Sequence, residues 1–562
     1  MEVAMRWLVP FLLALVACAP SASPGGEPGQ NVPDAAARAV PQRALVMASA
    51  FEPELLDATF GRGSGTTDFG TLGNAYLSYL DYPYKVMPYL AAELPSVEAG
   101  TWRLFPDGRM ETTYRLRPNL RFHDGTPMTA ADFAFAFRVR TDPAVPAPRA
   151  DAEPYASTVR VIDDHTMVIE WKRAYIWAAE IPIPSFTPIP RHLLEEQYLT
   201  DPGAILNSPH WRDAFIGSGP FRLERWEPGV QIVYHAFEGF VFGKPPIDQL
   251  TVRFITDANV VVANLLSGTV DMAYSATIHY PHAEILIQNQ WPGQVQFFLG
   301  SSPRYVHFQM RDWGNTQRAV HDVRVRRAML HAVDRQSIVD LIYEGRTVGM
   351  HVWLHPTDPS YPAVDRAITK YPYDLNRAQA LLEEAGWRKG GDGVLRNAAG
   401  EPLNMHILAH SGRVEEQETE VLASAWRSLG MPLEISWLTP AQMRDGEYRS
   451  KFPAVTYDRR SIDMAWTSDQ LSLPENRWGL SNRNGYVNPR LDELWDRVMT
   501  TIPFQERERF MVEAYQVMTA DAAVIPTHLQ PRIFAHPARL SGIKEAVPAS
   551  NSLAMSWEWR WQ

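Results

Sequence analysis

Three short stretches of this 562-residue chain carry residue types whose spacing could do chemistry. His279-Tyr280-Pro281-His282-Ala283-Glu284 sets two imidazoles and a carboxylate close together, a donor set suited to a divalent metal. Pro281 argues against a regular helix there, and no cysteine is at hand as a further ligand, so the plainer reading is a solvated loop. Gly217-Ser218-Gly219 flanks a hydroxyl with glycines but lacks the outer spacing of a nucleophile elbow. Gly239 through Lys244 ends on a lysine as a phosphate-cradling loop does, yet the spacing is short and Pro245 stands where a Ser or Thr is required. No His-Glu-x-x-His zinc motif occurs, and nothing sets a nucleophile beside a base and an orienting group. The expectation is a protein that is not an enzyme and needs no cofactor.

The remaining chemistry lies at the N-terminus. The chain has one cysteine, Cys18, which rules out an intrachain disulfide. It follows an apolar run from Trp7 to Val16, preceded by Arg6, whose charge Glu2 offsets. That run is too short to anchor in a bilayer and has the length of a signal-peptide core. Leu15-Val16-Ala17-Cys18 resembles the bacterial lipobox, in which the chain is cut before the cysteine and its thiol takes a diacylglyceryl group. Residues 1–18 are therefore expected to be a lipoprotein signal peptide. Residues 19–43, rich in Pro, Ala, Gly and Ser, are expected to be a flexible tether.

The elements that must position a site follow the tether. The chain is 45% hydrophobic and 21% charged, ordinary for a globular protein and too long for one core. A formal net charge of -11 without any basic stripe argues against a nucleic-acid partner. Aromatics make up 11%, including 18 Trp and 21 Tyr, a load that suits walls around an organic ligand as well as cores. Ala44–Ala48 reads as a buried strand leading into a loop at Phe51-Glu52-Pro53. Arg109–Leu120 reads as a strand pair with Met110, Thr112, Tyr114 and Leu116 on one face. Thr129, with Asp132 three residues on, has capping-box spacing and opens a helix carrying Phe133 and Phe137. Asp257 is expected to cap a helix that buries Leu265 and Leu266 and stops near Gly268. Asp334 is expected to open one that buries Ile338, Leu341 and Ile342 and stops at Gly345, and Asp374 one that closes at Gly386. Gln231–His235 and Thr251–Phe254 read as strands between helices. The class is mixed α/β.

Four ordered signatures across residues 44–545 resemble one family. They are Arg115-Leu116-Arg117-Pro118 through His123-Asp124-Gly125-Thr126-Pro127; Gly217-Ser218-Gly219-Pro220-Phe221 with Trp226-Glu227-Pro228-Gly229 and Ser267-Gly268-Thr269-Val270-Asp271; Asp322-Val323-Arg324 with Asp334-Arg335; and Asn484-Gly485-Tyr486-Val487-Asn488-Pro489 with Asp492. The chain is similar to the extracellular solute-binding proteins of family 5, the peptide/nickel group served by ABC importers. The resemblance implies a periplasmic-binding-protein type II-like fold, with two lobes about a hinge plus an extra domain. Lobe I would comprise 44–70 with 208–274 and 528–562, the inserted domain 71–207, and the opposing lobe 275–527. It further implies a monomer outside the cytoplasm, in the periplasm or at the cell surface. There the protein would be held to the membrane by its lipid anchor and would deliver a peptide or similar small solute to ABC permease subunits. Gly217, Gly219 and Pro220 would make a rigid return between lobes, needing special backbone angles.

The same resemblance implies ligand contacts at Phe51 and Glu52, Tyr274 and Ser275, Tyr305 and His307, Asp458 and Arg459, and Trp466 and Trp478. Here the chain departs from the peptide binders, whose Asp takes the ligand ammonium. Asp458 is followed by Arg459 and Arg460, and an arginine beside a buried aspartate would already pair with it. A non-peptide solute (oligosaccharide, opine-like metabolite or nickel complex) and a surface sensor therefore stay open as alternatives.

Overall fold

The computed structural model describes residues 43–58, 60, 65–81, 85–145, 152–181, 185–274, 277–459, 466–544 and 553–562. The signal peptide, Cys18, nearly all of the tether, Ser275 and Arg460 lie outside the described residues.

The apolar run after the tether becomes the strand Ala44–Ser49, which buries Leu45 and Met47 in one core. It pairs parallel with Gln249–Phe254, which in turn runs antiparallel to Gln231–Ala236 and then Phe221–Glu227. A second, fully antiparallel sheet has the order Trp102–Leu104, Met110–Arg115, Thr166–Trp171, Ala156–Asp163. Met110, Thr112 and Tyr114 alternate into its core, as period-2 patterning requires. Arg109–Leu120 is one strand and not a strand pair. Leu116 leaves the ladder to bridge Ala91, and Asn119, at φ 61°, turns the chain.

The third sheet has five strands in the order Leu433–Leu438, Met405–His410, Val455–Arg459, Pro303–Phe308, Val524–Leu529. Its first two pairings are parallel and its last two antiparallel. One face packs on helices Arg413–Ser428 and Arg335–Tyr343 in the largest core; the other carries Tyr305, Trp353 and Trp466. A small sheet of Ala273–Tyr274, Arg532–Pro537 and Gly293–Phe298 joins this layer to the first. Met272 bridges Met47 just before the chain crosses, and Ala48 N–H donates to the Met272 carbonyl at 2.9 Å.

Helix starts follow the caps. Asp257, Asp334, Asp374 and Asn488 each accept backbone N–H groups that have no partner within the helix. Thr129 and Asp132 form the capping box, and the helix Ala130–Thr141 buries Phe133. Two core assignments fail. Leu266 is 43% and Leu341 78% exposed, because each falls just off the stripe that its helix turns to the sheet. Pro281 does not prevent a helix: it sits in the first turn of Tyr280–Gln288, where the missing N–H costs nothing.

Gly217 and Gly219 serve close approach and not special backbone angles, since neither has positive φ. A Cβ on Gly217 would lie 2.0 Å from the Gly73 carbonyl oxygen, and one on Gly219 2.5 Å from the Asn74 nitrogen. The His123 ring fastens the same turn, with Nδ1 accepting from Gly217 N–H at 3.2 Å and Nε2 reaching the Gly219 carbonyl at 3.1 Å. Among the described residues no helix is long and apolar enough to cross a membrane.

Candidate functional site

The strand register of the five-stranded sheet brings three of the expected residues together. Tyr305 stands opposite Asp458, and His307 opposite Thr456. Successive side chains alternate between faces, so Tyr305, His307 and Asp458 share one face while Arg304, Val306 and Tyr457 take the other. Tyr305 is the centre of an aromatic panel. Its ring lies 4.6 Å from Trp353, 5.6 Å from Trp466 and 5.0 Å from His307, and His307 stacks on Phe452 at 5.0 Å.

Asp458 is buried beside this panel and fully engaged. Its Oδ1 accepts from His410 Nε2–H at 2.5 Å and from Arg459 N–H at 2.8 Å; its Oδ2 accepts from Arg449 Nη2 at 2.6 Å. Arg483 stands 3.9 Å away. Burial alone would push this carboxyl up. The Arg449 guanidinium, the His410 ring and Arg483 more than offset it and hold Asp458 well below the usual carboxylate range. The arginine expected to neutralise Asp458 does so only through its backbone: the Arg459 side chain ends the strand exposed, and the cation comes from Arg449 on the short helix Gly446–Ser450.

The opposite face holds a second buried network. Glu418 accepts from Arg304 Nε at 2.7 Å, Tyr343 OH at 2.5 Å and His528 Nε2 at 2.9 Å. Burial opposes its charge, yet Arg304 and His528 bring its carboxyl down to about 2. With every member buried, this network fixes how helix Arg413–Ser428 seats on the sheet.

Where the chain crosses between layers, Tyr274 is buried and its OH donates to Asp68 Oδ2 at 3.3 Å. Burial pushes Asp68 up to about 6, against the opposing pull of Arg532 and the Tyr274 hydrogen bond. Phe51 is 38% exposed on the loop after the first strand. Glu52 instead turns toward the strand pair beside it, accepting from Trp226 Nε1 at 2.7 Å and Gly229 N–H at 3.0 Å, so its carboxylate braces a turn. Trp478 stands against Trp313 at 6.1 Å and Lys451 at 5.5 Å, packed over Gly446. The metal-like stretch also has a local role: His282 Nδ1 accepts the His279 N–H at 3.2 Å, capping its own helix. Among the described residues no cluster of His, Cys, Asp or Glu could hold a metal ion.

The profile of the bacterial extracellular solute-binding proteins, family 5 (middle region), matches residues 94–483. The chain belongs to that family. Among the relatives is the oligopeptide-binding protein AppA of Bacillus subtilis (strain 168), 23% identical over 512 residues that span 89% of this chain and 88% of that protein. Protein XP55 of Streptomyces lividans is 28% identical over 465 residues, 80% of this chain and 77% of that one. Among solved structures, NikZ from Campylobacter jejuni in complex with Ni(L-His) superposes with a TM-score of 0.75 at 20% identity, covering 93% of this chain and 100% of that one. The fold is thus that of the type II periplasmic binding proteins, two lobes about a hinge with an extra domain. Family 5 members are substrate-binding transport proteins and not enzymes.

Sequence reasoning missed His410, Arg449, Arg483, Trp353 and Phe452. His410 closes an apolar strand and Trp353 lies in a loop, so no local pattern marks either one. Only the pairing of strands 405–410, 455–459 and 303–308 assembles them.

Proposed function

We propose that this family 5 protein is the substrate-binding lipoprotein of an ABC importer. It captures a peptide or similar polar solute between its lobes and delivers it to the permease. Cys18 carries the lipid, residues 19–43 tether the body outside the cytoplasm, and the protein works as a monomer. Lobe I is 44–70 with 208–274 and 528–562, the inserted domain 71–207, and the opposing lobe 275–527. The chain crosses between the lobes on strands Ala273–Tyr274 and Arg532–Pro537, and a ligand favours the closed form by touching both lobes at once.

The observation that carries this reading is the pairing of two crossing strands with a buried aromatic and charged face on the sheet just beyond them. The likeness to AppA, an oligopeptide-binding protein, supports a peptide. One feature favours the second reading, a non-peptide solute. Asp458, the residue that the resemblance assigns to a ligand ammonium, already has its charge answered by Arg449 and His410.

A thermal-shift screen with di- to octapeptides, oligosaccharides, polar metabolites and Ni²⁺ tests the proposal. A ligand at a hundred times its dissociation constant stabilises the fold by about 2.7 kcal/mol. A stabilising solute of any of these classes is the expected result; no shift with any class sinks the receptor reading. Loss of lipid labelling in Cys18→Ser, with labelling of the parent, is the expected outcome for the anchor.

A further inference from the structure

Two cores built from distant parts of the chain touch through a helical elbow. The antiparallel sheet of Trp102–Leu104, Met110–Arg115, Thr166–Trp171 and Ala156–Asp163 covers one core, which also holds Tyr175, Ala178 and Ile181. Helices Pro489–Thr500 and Phe504–Asp521 pack on another through Leu491, Leu494, Ala514 and Met518. Met499 and Ile502, at the bend between these two helices, are partly buried, and they pack against the first core.

Charged side chains flank this apolar contact. Arg173, two residues after the strand Thr166–Trp171, donates from Nη1 to Asp496 Oδ1 at 2.7 Å, across 323 positions of the chain. Its guanidinium lies 5.8 Å from the centre of the Tyr155 ring, which stacks on Tyr175 at 4.7 Å. Arg507, near the start of the second helix, donates to the Ile502 carbonyl at 3.2 Å and stands within electrostatic reach of Glu180. Residues 173–180 thus meet residues 496–507 through an apolar centre and a charged rim. The rim is wet, since the Arg173 and Asp496 side chains are 48% and 58% exposed. An exposed ion pair holds little by itself, and a small contact of this kind between two bodies of one chain parts readily.

We propose that this elbow is a latch. It holds the helix pair 489–521 against the sheet 102–171 without any solute, and it has to part before those two bodies can move against each other. The inference goes beyond the receptor reading, because the contact is made by the chain alone. It rests on that reading for one consequence: a latch that favours the closed cleft tightens the binding of any solute that needs the cleft closed, by raising the fraction of molecules ready to hold it.

Spin-label distances in the solute-free protein test it. In a Cys18→Ser background, labelled cysteines replace Leu199, 68% exposed on helix Arg191–Thr200, and Leu341, 78% exposed on helix Arg335–Tyr343. The parent is expected to give one narrow distribution. Met499→Asp with Ile502→Asp sets charges against an apolar core, and the distribution is expected to broaden and lengthen. Arg173→Asp alone and Asp496→Arg alone are expected to broaden it less, and the two together to restore the parent's. Thermal melts check that each variant folds, and the exchange of charges carries the test if the Met499 and Ile502 variant does not. Amide hydrogen exchange gives a second readout. Residues 173–181 and 496–503 are expected to exchange about fivefold faster or more in the Met499 and Ile502 variant, while the buried strand Pro303–Phe308 keeps the parent's rate. A parent distribution that is already broad, or variants whose distributions and exchange match the parent's, overturns the latch. The receptor reading is tested by the solute screen and stands or falls there.

Discussion

Arg449 Nη2 donates to Asp458 Oδ2 at 2.6 Å, and the two side chains are 15% and 3% exposed. The pair joins the helix Gly446–Ser450 to the middle strand of the five-stranded sheet, and His410 from the next strand completes it at 2.5 Å. Removing one partner of such a pair leaves the other charge buried alone, which costs about 3–5 kcal/mol. Asp458→Asn is therefore expected to destabilise the protein by several kcal/mol in urea unfolding. Asp458→Asn with Arg449→Met is expected to recover most of that loss. If the double variant is no more stable than the single, the two residues do not act as a pair.

Acid should weaken the fold already between pH 7 and 5, through buried histidines. Burial lowers His123, His351 and His355 to about 4 and His210 to about 3. A histidine whose folded value is depressed contributes stability that is present above its unfolded pKa, near 6.5, and is lost as pH falls toward the folded value. At pH 5 each fully buried ring has forfeited about 2 kcal/mol relative to neutral pH. Asp68 opposes this. Its folded pKa is raised to about 6, so protonation on going from pH 7 to 5 favours the fold by about 1 kcal/mol. The net expectation is a melting temperature that drops between pH 7 and 5.

The two sides of that balance can be separated. Asp68→Asn resembles the protonated state at every pH. It is expected to raise stability by about 2 kcal/mol more at pH 8 than at pH 4.5. An equal change at both pH values would show that the effect is not titration of Asp68.

The turn at Gly217 gives a steric prediction. A methyl there meets the Gly73 carbonyl oxygen, which is backbone and cannot swing away. Gly217→Ala is expected to cost more than about 3 kcal/mol, in the range of core overpacking and strain. Gly391→Ala, where a Cβ meets nothing within 4 Å and φ is not positive, is the matched control and should be within about 0.5 kcal/mol of the parent.

The sequence made the family, the order of elements and most helix starts legible, because these are local. A capping Asp or Thr acts within three residues of itself, and the four signatures lie in unbroken runs. Which side of a helix faces the sheet was less legible. Leu266 follows the buried Leu265 and Leu341 lies two residues past the buried Val339, yet one residue along a helix is a turn of about 100°. The site was least legible. Asp458 was expected to be neutralised by the arginine beside it in sequence, but neighbouring strand residues point to opposite faces, so Arg459 is carried away and Arg449, nine residues earlier, takes its place. Glu52, expected at the ligand, is drawn off by Trp226, which is 174 residues distant along the chain.

Closure of the proposed lobes on a ligand can be read as a change of distance between two labels. The chain has a single cysteine, so a Cys18→Ser background accepts labels only where they are placed. Val230, 56% exposed beside the first sheet, and Leu341, 78% exposed on the helix Arg335–Tyr343, can each be replaced by a labelled cysteine. With a solute that stabilises the protein, the distribution of label separations is expected to narrow and to shift to a new mean. An unchanged distribution at saturating solute would contradict it, since binding would then occur without movement of one lobe against the other.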